Sequence, residues 1–183
     1  MPSSMPLSPA VFLDRDGVIN RAIIRNGKPY APATVDELDL LPGVREALVR
    51  LKAAGYALVV VTNQPDIARG VTTSAAVETI HARLRATLPL DDIRACPHDD
   101  ADGCACRKPK PGLLLRPPHY NMAASVMVGD RWRDIDAGRA AGCGVTILVD
   151  YGYDDGPPAE PTVRVGSLAE AVDWLLTRDP ADE

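Results

Sequence analysis

The chain has 183 residues, 46 % of them hydrophobic and 25 % charged, with 20 basic against 25 acidic side chains and a net charge of −5. That length suits one domain with a substantial core, and no apolar run approaches the roughly 20 residues a membrane span needs. The acidic balance counts against nucleic acid as the main partner, because a phosphate backbone is held by clustered Lys and Arg.

Residues 1–9 are rich in Ser and Pro and carry no basic side chain. They are expected to form a disordered lead-in rather than a signal peptide, which makes the cytoplasm the default compartment. Residues 10–180 then read as one domain. Apolar runs at 10–14, 57–62, 93–96, 125–129 and 145–149 predict short strands apolar on both faces, as in a buried parallel sheet. Pro42-Gly43 opens a predicted helix to about residue 54, with Val44, Ala47, Leu48 and Leu51 at helical spacing. Further helices are predicted from Thr72-Thr73 to about residue 88, over 112–115 until Pro117-Pro118 interrupts, and over 132–141 until Gly142. Ser167 caps the last, whose core face is Leu168, Ala171, Val172 and Leu175. Residues 154–161 are a Gly/Pro/acid loop, and 181–183 are expected to fray. The β-α alternation predicts an α/β fold with a doubly wound, mostly parallel sheet, helices on both faces and no large cap domain. Ligands bind such folds beyond the carboxyl ends of the strands.

The residues at those ends carry the chemistry. Val11-Phe12-Leu13 runs into Asp14-Arg15-Asp16-Gly17, two acids whose spacing points both side chains to one side of an extended segment. Asp14 suits a nucleophile that carries phosphoryl as an aspartyl phosphate. Asp16 suits an acid–base group that protonates the leaving oxygen and then activates water. An anionic nucleophile approaching an anionic phosphate needs a cation, and oxygen-ligated Mg2+ supplies it. The plainer alternative is an Asp-rich turn after a strand.

Thr62-Asn63-Gln64 ends the second strand in a hydroxyl and two amides, suited to a phosphoryl group or to ordinary capping. Arg107-Lys108-Pro109-Lys110 places three cations before a helix start. Lys108 is the expected phosphate contact and Arg107 reaches a second substrate oxygen; Lys110 competes, and a solvated basic loop is the alternative. Gly129-Asp130 ends another strand, with Asp134 four residues on. Asp130 fits a magnesium ligand, and Asp134 an acid behind it or a helix N-terminal charge.

Of the four cysteines, Cys96, Cys104 and Cys106 fall within eleven residues, too close for a disulfide framework. With His98 they make a closed set of three thiolates and one imidazole, the donor pattern of structural Zn2+. Zinc across residues 96–106 would fix this loop and aim Arg107 and Lys108, which follow it. Cys143 reads as a small packed side chain. His81 is expected on the exposed face of its helix, Trp174 in the core, Trp132 at the cavity mouth and Tyr30 over the substrate.

The four strand-end segments, in this order, resemble the haloacid dehalogenase superfamily of phosphatases over residues 11–142. Asp14-Arg15-Asp16-Gly17 resembles its first motif, Thr62 its second, Lys108 its third and Gly129-Asp130 through Asp134 its fourth. The resemblance implies a Rossmann-like sheet, Mg2+ bound by the side chains of Asp14 and Asp130 and the backbone carbonyl of Asp16, and phosphoryl held by Thr62 and Lys108. The Cys/His loop is similar to that of the zinc-containing branch with heptose bisphosphate and histidinol phosphatases. In that branch Arg107, Lys108 and Arg131 would contact the sugar phosphate. The chain departs from the branch at Pro65-Asp66, where Ser-Gly is frequent, and at Arg131, a lysine in some members. The implied activity is Mg2+-dependent hydrolysis of the 7-phosphate of a heptose bisphosphate, a small sugar phosphate; a monomer is the default expectation. Histidinol phosphate is the nearest alternative substrate, and a non-catalytic zinc module the alternative of another class.

Overall fold

In β1 (Ala10–Leu13) successive side chains point to opposite faces, and all four are buried. A strand apolar on both faces has to lie between two layers. The computed structural model describes residues 7–26, 28–154, 156–157 and 159–178, and it builds those layers.

The remaining strands are β2 (Ile23–Arg25), β3 (Lys28–Tyr30), β4 (Ala57–Asn63), β5 (Asp92–Cys96), β6 (Val126–Gly129), β7 (Val145–Val149) and β8 (Val163–Val165). The helices are α1 (Val44–Ala53), α2 (Ser74–Thr87), α3 (Gly112–Leu115), α4 (Trp132–Ala141) and α5 (Leu168–Thr177). Six strands form one sheet in the order β5-β4-β1-β6-β7-β8, every pair parallel. β2 and β3 pair antiparallel in a separate hairpin.

Alternation along the strands divides the core in two. Val11, Leu13, Leu58, Val60, Val126 and Val128 face the layer of α1, α2 and α5. Ala10, Phe12, Val59, Val61 and Met127 face the layer of α3 and α4. Polar side chains fix where the helices begin: Thr73 Oγ1 accepts from Ala76 N at 3.1 Å, and Ser167 Oγ from Glu170 N at 3.2 Å.

Several elements differ from the sequence reading. β8 and the β2–β3 hairpin were not expected; each strand has three residues and none that is fully buried, so they lack the buried apolar run that marks the other strands. The lead-in expected at 1–9 lies outside the described residues up to residue 6. Ser8 and Pro9 are tied in, their carbonyls accepting from Asn121 N and Ala57 N, each at 3.0 Å. The frayed end expected at 181–183 lies wholly outside the described residues. Trp174 is half-buried and packs at the edge of the α1/α2/α5 layer rather than inside it. Cys143 packs against the α3/α4 layer, and burial pushes its thiol up to about 12. His81 is corrected outright: it is only 2 % exposed. Its position is four residues after Val77 and three before Leu84, both buried on α2, so the helical period turns it inward with them.

Leu48 of α1 is completely buried, so Leu48→Ala is expected to lower unfolding free energy by about 2–5 kcal/mol. Urea denaturation checks this; a loss below about 1 kcal/mol would mean that the α1 layer does not form this core.

Candidate active site

After β1 the chain crosses to β4 and β5 on one side of it, and later returns to β6 on the other. The connections therefore diverge above β1 and leave a crevice at its carboxyl end. Asp14 follows β1 directly, and its N–H donates to Val128 O at 2.9 Å, tying it to β6. Asp130 follows β6. The two loops approach so closely that a Cβ at Gly17 would fall 2.1 Å from Asp130 Oδ2, and Gly17 has φ +93°. Only glycine satisfies both demands. Gly129 meets a similar limit, since a Cβ there would fall 2.1 Å from Asp134 Cβ.

Asp14, Asp130 and Asp134 converge in the crevice, each offering an oxygen within 4.8 Å of the others, and all three are buried. Lys108 enters from the loop after β5. Its Nζ lies 2.8 Å from Asp14 Oδ1, 2.5 Å from Asp134 Oδ1 and 2.7 Å from Val61 O. Asn63 clamps the lysine backbone from β4, donating to Lys108 O and accepting from Lys108 N, both at 3.0 Å. Burial alone would favour the neutral amine, but Asp134 and Asp14 outweigh it and keep Lys108 cationic. One ammonium does not balance three carboxylates. Burial, with Asp134 and Asp16 nearby, pushes Asp14 up to about 6 against the pull of Lys108. Burial and the neighbouring Asp14 and Asp134 likewise push Asp130 far above the ordinary carboxylate range. Asp130 Oδ1 is buried with no hydrogen-bond partner among the described residues. An orphaned oxygen beside clustered carboxylates is the donor set of a hard, oxygen-liganded cation, so these residues fit Mg2+.

Asp16 is held differently. Its two oxygens accept from Arg15 Nε and Nη2, both at 3.1 Å, from Asn20 Nδ2 at 3.0 Å and from Gln64 Nε2 at 3.0 Å. Gln64 also donates to Thr62 Oγ1 at 2.8 Å.

Above these groups opens a cavity of about 1040 Å3. Asp14, Asp16, Asp130 and Lys108 line its floor, and Asn63, Gln64, Arg107 and Arg131 its walls. Thr62 is the one expected phosphate-binding residue that does not line it; it is buried with its hydroxyl turned to Gln64. Lys110 is excluded as the rival to Lys108, because it is exposed and donates to Gly103 O and Cys104 O at 3.0 and 2.8 Å. The hairpin contributes Ile24, Lys28 and Tyr30 to the lining. Trp132 is not part of the lining; the neighbouring Arg133 is, and its guanidinium sits 4.8 Å from the indole ring centroid. Sequence reasoning missed Arg69, Arg133 and Tyr151 in this wall. Tyr151 Oη donates to Gly17 O at 2.9 Å, a contact across 134 residues with no local signature.

Cys96, His98, Cys104 and Cys106 meet beside the loop that carries Lys108. Their sulfur separations run from 3.1 to 3.6 Å, and His98 Nδ1 lies 3.5 Å from Cys96 Sγ and 3.4 Å from Cys106 Sγ. A tetrahedron with metal–sulfur bonds of about 2.3 Å has edges of about 3.8 Å, so this set, drawn together slightly closer than that, fits a closed tetrahedral zinc site. Around it, Arg69 grips Asp99 at 2.7 and 2.8 Å. Arg107 and Arg133 both reach Asp100 Oδ1, at 2.8 and 3.1 Å.

The haloacid dehalogenase-like hydrolase family matches residues 20–142. D-glycero-beta-D-manno-heptose-1,7-bisphosphate 7-phosphatase of Escherichia coli K12 is 40 % identical, across 92 % of this chain and 88 % of that protein. The protein of the same name from Pseudomonas aeruginosa is 43 % identical, across 91 % and 97 %. Among solved structures, the D,D-heptose 1,7-bisphosphate phosphatase from B. bronchiseptica complexed with magnesium and phosphate superposes with a TM-score of 0.78 at 36 % identity, covering 92 % of this chain and 98 % of that one. With the four strand-end segments gathered in one crevice and these matches running over most of its length, the chain belongs to the haloacid dehalogenase-like hydrolase family.

Proposed function

We propose that the chain removes the 7-phosphate of D-glycero-D-manno-heptose 1,7-bisphosphate through an aspartyl-phosphate intermediate, with residues 10–180 acting as one phosphatase domain. The observation that carries this reading is the Asp14 carboxylate on the cavity floor, with Lys108 Nζ at 2.8 Å and the orphaned Asp130 oxygen alongside. Relatives that bear this activity in their names align with nearly the whole chain.

In this reading an Asp14 oxygen attacks phosphorus as the bond to the sugar oxygen breaks. Asp16 gives its proton to that oxygen, then takes a proton from the water that attacks the phosphorus and frees Asp14. Asp14, Asp130 and the backbone carbonyl of Asp16 would hold Mg2+, which would supply the positive charge that lets two anions meet. Lys108 bears on the transferring phosphoryl oxygens and keeps Asp14 aligned. Asn63 and Gln64 act mainly by holding Lys108 and Asp16, and Thr62 acts through Gln64. Arg107 and Arg131 serve the rest of the substrate.

Outside the floor, the lining carries Lys28, Arg69, Arg107, Arg131 and Arg133 against Asp66, Asp100 and Asp154, an excess of positive charge that favours a second anionic group. That suits a bisphosphate better than histidinol phosphate, whose amine brings positive charge. Zn2+ bound by Cys96, His98, Cys104 and Cys106 would hold residues 96–106 in one shape. Arg107 and Lys108, which follow, would then be fixed in direction. No helix among the described residues is long and apolar enough to cross a membrane; we assign a cytoplasmic, monomeric enzyme.

Asp14→Asn is expected to abolish turnover without lowering the melting temperature; substantial turnover by this variant would remove Asp14 as nucleophile. A panel of heptose bisphosphate, histidinol phosphate and a 3′-phosphorylated oligonucleotide should show turnover of the first alone, and only with Mg2+ present. Preference for histidinol phosphate would overturn the substrate assignment. Metal analysis should find about one zinc per chain, and its removal should lower both melting temperature and turnover. A folded, fully active, zinc-free sample would contradict the zinc assignment.

A further inference from the structure

Behind Asp16, on the side away from the cavity, runs a line of buried polar groups that the proposed chemistry leaves unused. Arg15 is 0 % exposed. Two of its nitrogens, Nε and Nη2, grip the two oxygens of Asp16 at 3.1 Å each. The third, Nη1, lies 3.0 Å from His81 Nε2 on α2. His81 is itself 2 % exposed, and its Nδ1 sits 3.7 Å from a carboxylate oxygen of Glu78, at the surface end of the line.

The chemistry of these groups assigns the state of the ring. A guanidinium has donors and no acceptor and stays charged in proteins. The contact at 3.0 Å therefore requires a lone pair on Nε2, which makes His81 neutral with its proton on Nδ1, facing Glu78. Burial and then the Arg15 charge push the imidazole down to about 4, with Glu78 opposing. A planar guanidinium held at two nitrogens by one carboxylate can still swing with it; a contact at the third nitrogen fixes its plane. Asp16, whose side chain keeps 16 % of its surface exposed at the cavity floor, is thereby held from behind by a rigid fork.

We propose that His81 is a positioning residue, which fixes the Arg15 guanidinium and through it the Asp16 carboxylate that transfers protons in the reaction. This rests on the reading of Asp16 as the acid–base group. Nothing in the sequence near Asp16 signals it, since 66 residues separate Arg15 from His81.

The test compares His81→Gln and His81→Leu with Asp16→Asn, each assayed with heptose bisphosphate and Mg2+. In His81→Gln, the amide oxygen accepts where Nε2 did, and kcat should stay within about threefold of wild type. In His81→Leu, which has no acceptor, kcat should fall about ten- to a hundred-fold with KM unchanged. A merely structural role would lower both variants alike, or move KM with kcat, and either result overturns the proposal, as does an unaltered His81→Leu. Should His81→Leu fail to fold, nitrogen-15 spectra of the wild-type ring at neutral pH decide: a neutral ring protonated at Nδ1 supports the proposal, and a proton on Nε2 overturns it. Activity retained by Asp16→Asn would instead refute the acid–base reading, whereas an inactive Asp16→Asn beside a normal His81→Leu would refute the role of His81 alone.

Discussion

Three buried carboxylates and one buried ammonium share the crevice above β1, and that imbalance of charge governs the rest of the molecule. Charge removed from water is tolerated only when it is paired and hydrogen-bonded. Lys108 compensates part of the deficit, yet Asp14 is still pushed up to about 6, and Asp130 well above the ordinary carboxylate range. Clustered, perturbed carboxylates of this kind gather at functional sites, and here they border the open cavity of about 1040 Å3. A parallel sheet is the simplest way to assemble it. All six strands point their carboxyl ends to one edge, so acids at the ends of β1 and β6 meet without any long-range search.

Each group in the crevice is held from a different element. The Lys108 backbone is clamped by Asn63 at the end of β4. Its loop begins at the Cys/His cluster, which Lys110 braces through the carbonyls of Gly103 and Cys104. Asp16 is gripped by Arg15, Asn20 and Gln64, and Arg15 in turn leans on α2 through His81. Gly17, pressed against Asp130, is fastened from beyond β7 by Tyr151. Geometry matters here because a misplacement of about 1 Å in a reacting group can cost about a hundred-fold in rate. Supports from separate elements resist such shifts better than a single loop would.

The parts of the fold readable from sequence share one property: their signal is local. β1, β4, β6 and β7 are apolar on both faces, and α1 and α5 carry apolar residues at helical spacing, so each announces itself within a few residues. The acids were legible for a related reason, since spacing of two along an extended segment puts Asp14 and Asp16 on one side. The Cys/His set was legible because its donors are close in sequence and chemically unambiguous. What stayed hidden depends on pairing at a distance. β8 is defined by β7 beside it, and the hairpin by its own turn. Tyr151 reaches Gly17 across the sheet. His81 was misjudged because a polar side chain on a helix is normally exposed; the helical period turns it inward beside Val77 and Leu84, and the buried Arg15 supplies the polar partner it needs there.

Isothermal titration of the purified chain with Mg2+, wild type against Asp130→Asn, tests the charge argument most directly. If the unpartnered Asp130 oxygen and its neighbours form a cation site, the wild type binds about one ion per chain, and Asp130→Asn binds it at least about ten-fold more weakly. No uptake by the wild type, or equal uptake by both proteins, would contradict the account.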